Sequence, residues 1–85
     1  MGIIMETRVA VIGIIVENKK SVAELNAILS EHGEYIIGRM GVPYDKKGVS
    51  IISVAVDAPQ DAINALSGSI GRLEGVYAKT AYSNV

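Results

Sequence analysis

Between Arg8 and Val16 the chain reads R-V-A-V-I-G-I-I-V, and no polar side chain follows the arginine. Branching at Cβ stiffens Val and Ile and suits them to a pleated, packed strand. A strand turns successive side chains to opposite faces, so a run that does not alternate needs cover on both. Any fold for this chain must therefore put something above and something below its first strand.

The cover has to come from few residues. Eighty-five residues make one domain, and a chain of that size buries only about 60–65 % of the surface it exposes when unfolded. Residues 1–6 read as an N-terminal extension and residues 7–85 as the domain. Met5 offers an alternative start. The opening M-G-I-I-M-E is short and acidic, unlike a signal peptide, and Glu6 stands where a myristoylation signal needs Ser or Thr.

After Glu17 and Asn18, Ser21-Val22-Ala23-Glu24 has the spacing of a capping box. Val22, Leu25, Ile28, Leu29 and His32 then follow helical spacing up to a stop at Gly33. A second strand is expected from about Glu34 to Val42, and the stretch from Pro43 to Gly48 reads as a hairpin connection. A third strand is expected over Val49 to Val56, with Ile52, Val54 and Val56 on one face and Val49, Ile51, Ser53 and Ala55 on the other. Asp57 to Gln60 reads as the start of a second helix, with Asp57 as cap candidate and Pro59 near the first turn. Ala62, Ile63, Leu66 and Ile70 form its buried stripe, Gly71 its end, and Val76 to about Tyr82 the last strand.

Strand, helix, strand, strand, helix, strand is a split β-α-β motif used twice. The expected fold class is α+β: a ferredoxin-like βαββαβ sandwich of the ACT-like kind, a four-stranded antiparallel sheet with two helices on one face. Two helices shield one face only. With 49 % hydrophobic residues, the other face holds apolar side chains that a soluble monomer would replace by polar ones. A homo-oligomer, dimer or tetramer, packed through the sheet is the expected resolution; a different protein on the same face is the alternative.

Chemistry-bearing residues are sparse. The absence of cysteine excludes disulfides, thiolate metal sites and cysteine nucleophiles, and suits a reducing cytoplasm. One histidine, His32, offers neither a metal set nor a triad, and its place at a helix end suggests capping. No cofactor, metal or catalytic residue is expected. A net charge of −1 with mixed signs gives no footprint for nucleic acid or a membrane surface. Two places remain for a small anionic ligand or an amino acid. Asn18, Lys19 and Ser21 stand, with Lys20, at the start of the first helix, where free amides attract anions. Gly38 and Arg39, within G-R-M-G, mark a bulge or a place where a ligand or a neighbouring chain can approach the backbone.

The stretches R-V-A-V-I-G-I-I-V-E (Arg8 to Glu17), I-G-R-M-G-V-P-Y (Ile37 to Tyr44), G-V-S-I-I-S (Gly48 to Ser53) and A-L-S-G (Ala65 to Gly68) resemble a known family, the small bacterial iron-only hydrogenase system regulators, which have an ACT-like fold. The resemblance covers nearly the whole chain after Met5. It implies a cytoplasmic, non-catalytic, oligomeric domain linked to the iron-only (FeFe) hydrogenase system. The wider ACT-like group binds amino acids near the first strand-to-helix loop. Here Glu17-Asn18-Lys19-Lys20-Ser21 lacks that group's glycine after an acidic residue, which counts against binding of that type. The sensor domain of nickel-responsive repressors is also similar in fold, but its histidine and cysteine ligands are missing. Two roles follow: a ligand-sensing or regulatory module acting through oligomer interfaces, or an adaptor that docks a maturation or electron-transfer protein on an apolar face.

Overall fold

The computed structural model describes residues 6–84. Residues 1–5, and with them most of the expected extension and the Met5 start, lie outside the described residues. β1 (Arg8–Val16) occupies an inner position in a four-stranded sheet, between β3 (Val49–Ala58) and β4 (Val76–Tyr82). β2 (Ile36–Tyr44) pairs with the far side of β3, so the order is β2-β3-β1-β4 and every pairing is antiparallel. The expected ferredoxin-like arrangement is the one found.

Two helices, α1 (Val22–Glu31) and α2 (Gln60–Gly71), cover one face. Leu25 and Leu29 from α1 and Ile63, Leu66 and Ile70 from α2 pack on Ala10, Ile12, Ile14 and Val16 of β1 and on Ile52, Val54 and Val56 of β3. Those strand residues are every second one, as the pleat requires.

Three local expectations are corrected. Ser21 makes no capping bond at α1; its hydroxyl donates instead to the Glu74 carbonyl, 2.7 Å away and 53 positions along the chain. Capping passes to Asn18, whose Oδ1 accepts from the Lys20 amide at 3.0 Å and starts a 3-10 turn over Lys19–Ser21 that leads into α1. Asp57 caps nothing in α2, because β3 runs on through Ala58 and the N-cap position falls to Pro59. β2 starts after a 3-10 turn at Gly33–Tyr35 and runs past Val42 to Tyr44. Proline is tolerated there because β2 is an edge strand, where an N–H can be missing from the outer side. His32 follows the expected capping role: it is the C-cap residue of α1, and its Nδ1–H donates to the Ile28 carbonyl at 2.9 Å.

The β1–α1 loop is stitched to the turn before β4. The Glu17 amide donates to the Gly75 carbonyl at 2.7 Å, beside the Ser21–Glu74 bond. Gly75 sits at φ +70°, and a Cβ there would meet the Asn18 Cβ at 2.6 Å. Position 75 thus requires glycine on both conformation and space.

Candidate functional site

The pairing register lays out the outer sheet face, away from the helices, in rows. Val42 pairs with Ile51, Ile51 with Ile15, and Ile15 with Tyr77, which forms an apolar ridge across all four strands. The next row is Met40, Ser53, Gly13 and Lys79, and the one after it Gly38, Ala55, Val11 and Ala81. Val11, Ile15, Val42 and Ile51 are each 43–48 % exposed, whereas Ile12 and Val54 on the other face are 0 % exposed. Small residues at Gly13 and Ser53 leave a hollow beside the ridge, about 360 Å³ in volume, with Ile15, Ile51, Tyr77 and Lys79 around it.

A second concavity lies on the helix side, between α1 and the edge strand. There Arg39 pairs with Val54, Gly41 with Ile52 and Pro43 with Ser50, so these β2 residues share the face that α1 covers. The cleft measures about 220 Å³ and is bounded by Val22, Asn26, Arg39, Gly41, Pro43 and Ile52, with Ser50 beside them. Arg39 Nη2 donates to Asn26 Oδ1 at 3.1 Å, which ties strand to helix.

The residues singled out from sequence do not converge. Asn18 and Ser21 spend their side chains on the loop, Asn18 as cap and Ser21, buried, on the Glu74 carbonyl. Lys19 is exposed in the 3-10 turn. Gly38 and Arg39 flank a pleat: Gly38 pairs with Ala55 on the outer face, and Arg39 faces α1. A bulge between Ile36 and Gly38 sets that phase. Asn26, Pro43 and Ser50 escaped the sequence reading because only the bulged register brings them together with Arg39 and Gly41. Tyr77 escaped it for a similar reason, since its place in the ridge depends on β4 pairing with β1.

Among the described residues no group of three or more His, Cys, Asp or Glu side chains could hold a metal ion. No helix of the described residues is long and apolar enough to cross a membrane.

The model of the TM1266-like family, described as "Iron-only hydrogenase system regulator, putative", matches residues 8–80. The chain belongs to this family. The uncharacterized protein TM1266 from Thermotoga maritima has a similar structure, with a TM-score of 0.87 and 32 % sequence identity over 91 % of this chain and 98 % of that one. A formyltetrahydrofolate deformylase from Pseudomonas putida KT2440 shares the fold alone, with a TM-score of 0.66 and 13 % identity over 91 % of this chain and 30 % of that one. No curated protein sequence gives a significant match. Membership of the TM1266-like family supports a regulatory role for this chain.

Proposed function

We propose that this TM1266-like chain is a non-catalytic regulatory domain of the iron-only hydrogenase system that works as a homo-oligomer, packed through the outer face of its sheet. The ridge Val42–Ile51–Ile15–Tyr77 is the observation behind this reading. With the apolar residues of the neighbouring rows it makes a patch of roughly several hundred Å², the upper range for a monomer. Covering it at about 25 cal/mol per Å² contributes several kcal/mol per chain before the costs of association. That is comparable to the whole stability of a small domain. A ridge beside a hollow is also self-complementary under a two-fold axis, since each copy presents both shapes.

Edge-to-edge pairing through β2 is a poorer route for this chain. β2 carries a bulge and a proline, two devices that blunt a sheet edge. Face packing avoids both. Light scattering over a wide concentration range tests the reading: a whole-number multiple of the chain mass is expected, collapsing to the single chain in Ile15→Lys. A single-chain particle at high concentration would overturn it and turn attention to a maturation or electron-transfer protein as the cover.

A further inference from the structure

The cleft between α1 and β2 lies at the margin of the helix-side core. Its floor is Gly41, where a Cβ would come no nearer than 3.7 Å to Ile52 Cγ1. A side chain is sterically admissible there, and glycine leaves the space open. The walls divide by chemistry. Val22, Pro43 and Ile52 are apolar, whereas Arg39, Asn26 and Ser50 bring polar groups.

Arg39 spends one N–H on Asn26 Oδ1 and has no carboxylate partner among the described residues. A guanidinium has five donors in a planar fork suited to a carboxylate, so four remain. Its bond to Oδ1 also fixes the Asn26 amide, whose Nδ2 keeps both of its donors. No residue lining the cleft carries a carboxylate. The site is therefore rich in donors, positively charged, and offers an ammonium group no counter-ion.

We propose that this cleft binds a small monocarboxylate with a short aliphatic tail, its oxygens on Arg39 and Asn26 and its tail against Val22, Pro43 and Ile52. A volume of about 220 Å³ falls below the range for drug-sized ligands, roughly 300–1,000 Å³, so only a few heavy atoms fit. A ligand that small on an open cleft binds with a dissociation constant on the order of 1 mM. The cleft lies on the opposite side of the sheet from the ridge, so its occupancy is read out separately from assembly.

The test is an amide-resolved NMR titration of the whole chain with isobutyrate at fixed ionic strength, with isobutylamine and valine in parallel. Saturable shifts are expected at Asn26, Arg39, Gly41 and Ser50 with isobutyrate, and weaker ones with valine. Arg39→Gln removes the charge and Gly41→Val fills the floor; each is expected to weaken binding by about tenfold or more. No saturable shift up to about 50 mM would overturn the proposal. So would equal binding of isobutylamine or valine, or an Arg39→Gln variant that binds as tightly as the parent. The chain mass by light scattering is expected to stay the same in both variants, which separates this outcome from failure of the sheet-face assembly.

Discussion

The two faces of this sheet are written in nearly the same residues and lead different lives. On the helix side Ile12, Ile14, Val54 and Val56 are sealed under Leu25, Leu29, Ile63, Leu66 and Ile70. On the outer side Val11, Ile15, Ile51 and Val42 have the same branched shapes and stand about half exposed. Ile12 and Ile15 have the same side chain, on the same strand, three positions apart. What separates the two faces is what lies opposite, so apolar composition does not by itself distinguish a core from a contact surface.

Substitutions on either side tell a sealed core from a contact surface. The largest effect is expected from Ile12→Ala, which leaves a cavity under the helices and costs about 2–5 kcal/mol. Urea unfolding should show that loss equally at low and high protein concentration. Gly75→Ala comes next, at about 1–3 kcal/mol, because it adds a Cβ to a left-handed conformation against Asn18. A change below the error of the same unfolding measurement would mean that the stitch between the two loops contributes little. Ser21→Ala should cost about 1 kcal/mol through the lost bond to the Glu74 carbonyl, while Glu24→Ala stays within about 0.5 kcal/mol. Comparable losses for the two would restore the capping box that the structure denies. The smallest effect at low concentration belongs to Ile15→Lys, within about 0.5 kcal/mol for the isolated chain. Its signature is different in kind: the parent's melting temperature should rise with concentration and the variant's should not.

How far the sequence could be read follows the range of the forces involved. β1 was legible to the residue, because an unbroken branched run leaves few alternatives to a doubly covered strand. The inward set of β3 was legible from simple alternation. Ser21 misled, since a hydroxyl at capping spacing met a stronger claim from a carbonyl that is distant in sequence. The tail of β2 misled too, as proline in a strand becomes acceptable only once that strand is known to be an edge. Gly38 stays in the strand where the sequence put it, and Lys19, expected at the start of the first helix, lies on the 3-10 turn before it; neither joins Arg39 in one site. The cleft was invisible for a single reason: a one-residue bulge decides which of Gly38 and Arg39 faces α1.

The stitch at Gly75 has a dynamic consequence. A backbone bond from Glu17 and the hydroxyl bond from Ser21 run to the segment that immediately precedes β4, which ties the opening loop to the start of the closing strand. The Glu17 amide hydrogen should exchange only as fast as this stitch opens, rather than at the rate of an ordinary surface loop. Anything that grips residues 17–21 would thereby tighten the C-terminal margin of the sheet, which makes the loop a lever acting on the strand that carries Tyr77.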